Sequence, residues 1–216
     1  MPSSRTRDLT RAPHDFRSGS TDDVGVVGFS LFQTALGVCG LAWRGEAIVA
    51  TCLPESTPGA TEAKLRARTG GSDRDLPSFA RCAIEAITSL LEGAKTDLSF
   101  VRCDFGPSTK LALDTYAVAR TIPAGETISY GELASRLGDK RLARGVGAAL
   151  GRNPLPIVVP CHRIVGANGR LTGFSAPGGI ETKRRLLEIE GAGLAETSTL
   201  FGALPVTVKP RRTPQR

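Results

Sequence analysis

The spacing of apolar positions divides the chain into stretches of different period. From Val26 to Leu53 the runs VVGFSLFQT, GVCGLAWR and EAIVATCL are short, rich in β-formers and separated by Gly-containing turns. They predict three strands of an antiparallel meander, with a hairpin at Arg44-Gly45. Residues 54–75 are polar, carry Pro and Gly, and read as a loop or a ragged helix. Ala80, Ala83, Ile84, Ile87, Leu90 and Leu91 then recur at helical spacing. Pro77 stands near the start of that helix and Gly93 just past its end. A strand over 97–103 is the faintest element of this half. Residues 1–25 show no periodicity and predict a disordered extension.

Beyond residue 106 the period is helical. Ser108 predicts the cap of a helix running to Arg120, and IPAGE a turn. Ser129, with Glu132 three residues on, forms a capping box for YGELASRLG, which Gly138 ends. RLARGVGAALG, residues 141–151, is a second short helix. The pair is a helix-turn-helix candidate, although other helical hairpins share the pattern. Ala143, Gly145, Gly147, Ala148 and Ala149 leave the second helix nearly bare. Interior glycines cost about 1 kcal/mol each relative to alanine. Close helix packing would offset that, and so would close approach to a nucleic-acid backbone. Arg144 is the long side chain among the small ones. The expected fold is an α/β N-terminal domain with a small antiparallel sheet (26–106) and a mainly α C-terminal domain containing the helix-turn-helix (107–195). A basic tail, 196–216, follows.

Charge sharpens the picture. The net charge is +7 over 216 residues, which favours an acidic partner such as nucleic acid. Lys140, Arg141, Arg144 and Arg152 crowd one segment, Lys183, Arg184 and Arg185 another, and KPRRTPQR ends the chain. Each such run also fits a solvated face. Five cysteines without close pairing argue for a reducing compartment, hence the cytoplasm, or the nucleoid or nucleus with DNA. Cys39, Cys52, Cys82 and Cys103 sit in apolar surroundings and are expected to be buried structural thiols. No apolar run is long enough for a membrane span, and MPSSRTRDLTRAPHDFRSGS has no secretory h-region.

The remaining cysteine lies in NPLPIVVPCHRIVG, residues 153–166. Pro154, Pro156 and Pro160 stiffen the backbone that leads to Cys161. A cysteine reacts as its thiolate and needs a base or a positive environment. Adjacent His162 cannot serve on an extended arm, but can if the backbone turns there or a water bridges. Glu190 is a candidate to orient the imidazole, as in catalytic triads.

PCHRIV, preceded by RGVGAAL and GRNP and followed by GANGRLTGF and KRRLLEIEG, closely resembles the O6-alkylguanine-DNA alkyltransferases (methylated-DNA–protein-cysteine methyltransferases). The resemblance runs back through IPAGETISYGELASRLG. It is strong over 108–191 and loose over 26–105. It implies direct, single-use transfer of the alkyl group from O6-alkylguanine in DNA to Cys161, with O4-alkylthymine as a further candidate substrate. The base is first flipped from the duplex. His162 and Glu190 match the partners that deprotonate the thiol, and Asn153 the asparagine that bridges the helix-turn-helix to the arm. Tyr130 matches the tyrosine at the flipped nucleotide's phosphate and guanine N3, and Arg144 the arginine that fills the vacated stack. Ser129, Ala143, Gly147 and Arg152 complete the DNA-facing set. Pro156, Ile164, Phe174, Ser175 and Ala176 line the implied substrate pocket.

Two departures stand out. Phe174 replaces the usual lid tyrosine, and the segment around SAPGG is about two residues longer than the family pattern. Together with Gly178 and Gly179 they predict a pocket open to adducts larger than methyl. No metal or other cofactor is expected, and the partner is duplex DNA, bound by a monomer through the minor groove. A repeatedly acting cysteine hydrolase would leave Arg144 and the paired helices unexplained. A lesion-binding relative that transfers nothing would lack Cys161.

Overall fold

The computed structural model describes residues 25–193. Strands β1 (Gly28–Thr34), β2 (Gly37–Arg44) and β3 (Ala47–Cys52) form the predicted meander. Its register runs from Gly28 opposite Trp43 to Thr34 opposite Gly37. The sheet is nevertheless mixed. A two-residue strand, β4 (Ser72–Asp73), adds parallel to β1, giving the order β3-β2-β1-β4.

Within 54–75 lies a regular 12-residue helix, α1 (Pro58–Thr69). The Thr57 hydroxyl caps it by accepting the Ala60 N–H at 3.1 Å, and Gly70 ends it at φ 65°. Only Thr61 and Leu65 are buried on it, four residues apart. That narrow stripe explains why a polar sequence hides a well-formed helix. Helix α2 (Ser78–Leu91) buries Ala80, Ala83, Ile87, Leu90 and Leu91 against the sheet, as its spacing predicts. The expected strand over 97–103 is instead a turn closed by Asp97, whose side chain accepts from the Ser99 N–H. It meets the sheet through one isolated bridge, Cys103 to Ile48. The cysteines are corrected likewise: Cys39 and Cys52 are buried, Cys103 is half-buried and Cys82 is exposed.

Helix α3 (Lys110–Arg120) is capped by Thr109, which accepts the Ala112 N–H. Ser108 donates instead to the Phe105 carbonyl. Ser129 caps α4 (Tyr130–Arg136) by accepting the Glu132 N–H at 3.0 Å. The other half of the expected box is not made, because the Glu132 carboxylate pairs with Arg136. A 3-10 turn over Lys140–Leu142 leads into α5 (Ala143–Gly151). Two short strands, β5 (Ile128–Ser129) and β6 (Ile164–Val165), pair in parallel and tie the start of α4 to the arm. Helix α6 (Ile180–Ile189) closes the described chain.

One hydrophobic cluster runs from Leu41 and Trp43 of β2 through Ile87 and Leu90 of α2 to Tyr116, Val146, Val159 and Leu186. The two halves therefore share a core. Tyr116 crosses from α3 to α5, where its hydroxyl donates to the Ala149 carbonyl at 3.0 Å in a buried setting. Tyr116→Phe keeps the ring and removes that bond. The expected loss is about 1 kcal/mol, read as a thermal midpoint lower by roughly 2–4 °C. An unchanged midpoint would show that the bond contributes nothing net.

Candidate active site

The arm begins with an asparagine that makes three hydrogen bonds. Asn153 Oδ1 accepts the Leu155 N–H at 2.9 Å, and Nδ2 donates to the Val159 carbonyl at 2.9 Å and to Cys161 Sγ at 3.4 Å. The Val159 N–H donates back to Leu155 at 2.8 Å, so residues 153–161 form a closed loop rather than an extended arm. Cys161–Arg163 is a 3-10 turn, which supplies the backbone turn that adjacency alone lacked. Leu155, Val158 and Val159 anchor the loop in the core.

Cys161 is buried with its sulfur among polar groups. Burial pushes the thiol above its ordinary pKa, against the opposing pull of the Asn153 amide and the Lys183 ammonium. His162 is 1% exposed, and its Nε2 lies 2.9 Å from Glu190 Oε1. Burial lowers the imidazole pKa, and this outweighs the carboxylate's raising effect. The ring is therefore neutral, and Glu190 as acceptor assigns its hydrogen to Nε2. That leaves Nδ1 as the lone pair, buried and without a hydrogen-bond partner among the described residues.

Glu190 sits just past the end of α6. Burial alone would raise its pKa, yet hydrogen bonds from His162 and Arg163 hold it at about 2. Arg163 grips it with two donors, Nε to Oε2 at 2.9 Å and Nη2 to Oε1 at 2.8 Å, and anchors Nη1 on the Ile122 carbonyl at 2.5 Å. The Gly125 N–H, in the IPAGE turn, adds a longer contact of 3.4 Å to Oε2.

Lys183 corrects the surface reading of KRR. It is fully buried, and its Nζ donates to the Ile164 carbonyl at 2.6 Å. Its Nζ lies 5.7 Å from the Tyr130 ring centroid. Burial brings its pKa down to about 8, with Cys161 acting in the opposite direction. Lys183 and Glu190 are seven residues apart, two turns of α6, and so fall on one face. That spacing was the available signal for Lys183. For Arg163 there was none, because its role is set by where α6 ends.

The structure thus brings together Cys161, His162, Asn153 and Glu190. Tyr130 is half-buried beside them at the start of α4. The helix α5 runs past it, and a Cβ at Gly147 would lie 3.7 Å from Tyr130 Cε1. A Cβ at Gly145 would stand 2.8 Å from Leu111 Cδ2 of α3 and push that side-chain end aside. Arg144 and Arg152 are exposed, Ala143 is half-buried, and the Ser129 hydroxyl is occupied as the α4 cap. In the expected lid, Phe174 and Ala176 pack on the core and Ser175 is exposed. Pro156 is half-buried, whereas Ile164 is wholly buried in β6.

Residues 111–192 match the family model for the DNA-binding domain of 6-O-methylguanine DNA methyltransferase. The methylated-DNA–protein-cysteine methyltransferase of Mycobacterium bovis is 54% identical over 81 residues, 38% of this chain and 48% of that protein. Alignment to this relative thus spans about half its length. The protein of the same name from Methanothermobacter thermautotrophicus is 32% identical over 155 residues, 72% of this chain and 80% of that one. The crystal structure of Mycobacterium tuberculosis O6-methylguanine methyltransferase superposes with a TM-score of 0.64 at 34% identity, covering 82% of this chain and all of that one. A structure of the Mycobacterium tuberculosis protein OGT in complex with DNA matches at 0.60 and 32% identity over 76% of this chain and 92% of that one. Fold and site therefore define a protein in which the buried Cys161 thiol, bonded to Asn153, directly precedes a histidine and an arginine that share one buried glutamate. The chain belongs to the methylated-DNA–protein-cysteine methyltransferase family.

The pKa directions set an acid limit on stability. His162, lowered from 6.5, contributes stability that is complete above that value and lost as pH falls, when the unfolded chain takes up the proton first. Glu190, lowered from 4.5 to about 2, contributes stability that is complete above pH 4.5 and lost toward pH 2. The thermal midpoint should therefore decline below about pH 6.5 and more steeply below about pH 4.5. A midpoint that is level from about pH 7 to pH 3 contradicts the assigned protonation states.

Proposed function

We propose that this protein repairs O6-alkylguanine in duplex DNA by moving the alkyl group onto Cys161, once per molecule. The observation that carries the reading is the sulfur itself. It is hydrogen-bonded to Asn153 and lies in one buried cluster with the neutral, carboxylate-oriented imidazole of His162. DNA is the partner on the strength of the DNA-bound relative and the exposed cations Arg144 and Arg152. Helix α4, the turn and α5 act as a helix-turn-helix within a C-terminal domain over 107–195, and α5 enters the minor groove. Its small residues Ala143 and Gly147 let the backbone come close. The protein works as a monomer, wherever the DNA is held.

The target base must leave the stack, at a cost of a few kcal/mol. Arg144 fills the vacated position and offsets part of that cost. Tyr130 meets the flipped nucleotide, while Pro156, Phe174, Ser175 and Ala176 bound its pocket. The thiol proton passes, through a water, to His162 Nδ1, and Glu190 and Arg163 hold the resulting imidazolium in place. Sγ then attacks the alkyl carbon. The S–C bond forms as the C–O6 bond breaks, and guanine leaves with its electron pair and is protonated at N3 from Tyr130. The thioether is a poor leaving group, so the molecule is spent.

Two outcomes are expected. An oligonucleotide carrying one O6-methylguanine should add one methyl group, in place of a hydrogen, to each protein molecule, at Cys161, as read by intact and peptide mass. Cys161→Ala should bind the DNA and gain nothing, and repair beyond one equivalent would exclude the mechanism in favour of a recycling enzyme. Separately, Arg144→Ala should slow transfer from duplex DNA by about tenfold or more, the worth of roughly 1.4 kcal/mol of flipping energy, yet leave transfer from free O6-benzylguanine near the parental rate. Equal losses on both substrates would refute the role of Arg144.

A further inference from the structure

The arm that presents Cys161 is held from outside by two residues of the N-terminal half. Strand β3 is an edge of the four-stranded sheet, and such edges leave backbone groups to be paired. Residues 102–104 pair this edge at Ile48, and at Thr51 the partner is the arm. The Thr51 N–H donates to the Pro154 carbonyl at 3.1 Å, and the Thr51 hydroxyl donates to the Pro156 carbonyl at 2.7 Å. Arg68, in the last turn of α1, donates through Nη2 to the same Pro154 carbonyl at 3.0 Å and through Nη1 to the Thr51 carbonyl at 3.0 Å. Proline offers only an acceptor. Pro154 and Pro156 thus present the arm's two carbonyls to donors of β3 and α1.

The next residue shows why the grip matters. Ile157 has φ 78°, in the left-handed region that β-branched residues avoid. Such a conformation persists only where the surroundings over-determine it. On its N-terminal side the fixed point is the Pro156 carbonyl, on Thr51. On its C-terminal side it is the Val159 carbonyl, on Asn153, whose amide also reaches the sulfur. We infer that Thr51 and Arg68 are positioning residues for alkyl transfer: together they clamp Pro154 and Pro156 to the sheet edge, and so fix the strained arm that aims Cys161.

The inference rests on the proposed transfer reaction, and its test separates the two. Thr51→Val keeps the β-branched shape and removes the hydroxyl, whereas Thr51→Ser keeps the hydroxyl. With saturating O6-methylguanine duplex, Thr51→Val should lower the single-turnover rate roughly tenfold, because small misplacements of reacting atoms are expensive. Affinity for undamaged duplex should not change, and Thr51→Ser should restore most of the rate. Arg68→Ala, at an exposed side chain, should reproduce the loss and serves if Thr51→Val does not fold. A folded Thr51→Val or Arg68→Ala that transfers at the parental rate overturns the inference, as does a Thr51→Ser no faster than Thr51→Val. If the parent itself transfers nothing, the reaction has been misassigned, and amide exchange at Val159, bonded to Leu155 within the arm, still decides. Faster exchange in Thr51→Val supports the clamp, and unchanged exchange refutes it.

Discussion

A carboxylate removed from water must be met by donors on every side, and Glu190 is the group around which the second half of this chain is arranged. Its side chain is 1% exposed. An unpaired charge so placed would cost several kcal/mol. Arg163 answers with a two-pronged grip, His162 with a ring N–H and the IPAGE turn with a backbone N–H. Those donors come from the turn after the arm and from the loop before β5, while the acceptor comes from the end of α6. The ion pair therefore fixes where three distant segments meet. Removing either charged partner would strand the other, so the assembly stands or falls as a unit.

The same arrangement holds Cys161 and His162 in neutral form. Burial raises the Cys161 thiol and lowers His162, so the resting pair is thiol and imidazole rather than thiolate and imidazolium. Glu190, kept ionised by Arg163 and His162, is what makes a charged imidazole tolerable at all. Lys183 supplies positive potential on the sulfur's side without a carboxylate of its own, since its ammonium bonds a carbonyl. For the proposed transfer, charge separation then accompanies the reaction instead of preceding it. A thiol used once has reason to remain protonated until a substrate is in place.

Much of the fold was legible because apolar spacing reports burial. The meander, α2 and α3 carry apolar faces at regular spacing, while α4 was marked by its Ser129 cap and by Gly138 at its end. What failed to show was what spacing cannot encode. Helix α1 buries two residues and reads as polar. Strands β4, β5 and β6 are two residues each and exist only through their partners. Capping at Thr109 rather than Ser108 goes against the slightly better propensity of serine, so propensity alone could not pick the cap. In the site, Cys161, His162, Asn153 and Glu190 were legible through motif resemblance. Lys183 was masked by its basic run, where a buried cation looks like a solvated one, and the role of Arg163 depends on where the end of α6 lies.

The bare helix α5 shows how structure and proposed function divide one sequence feature. Its glycines admitted two accounts, close helix packing or close approach to nucleic acid. At Gly145 the packing account fits, for an added Cβ would stand 2.8 Å from Leu111 Cδ2 of α3 and push that side-chain end aside. At Gly147 it does not, because an added Cβ would meet Tyr130 at an ordinary 3.7 Å. Ala148 is exposed, and so is Arg144 one turn earlier. Intramolecular packing therefore favours smallness on one face and sets no such preference on the other. The other face adjoins Tyr130 and carries Arg144, and no contact within the described residues limits side-chain size there. Under the proposed function it is this face that meets the DNA backbone.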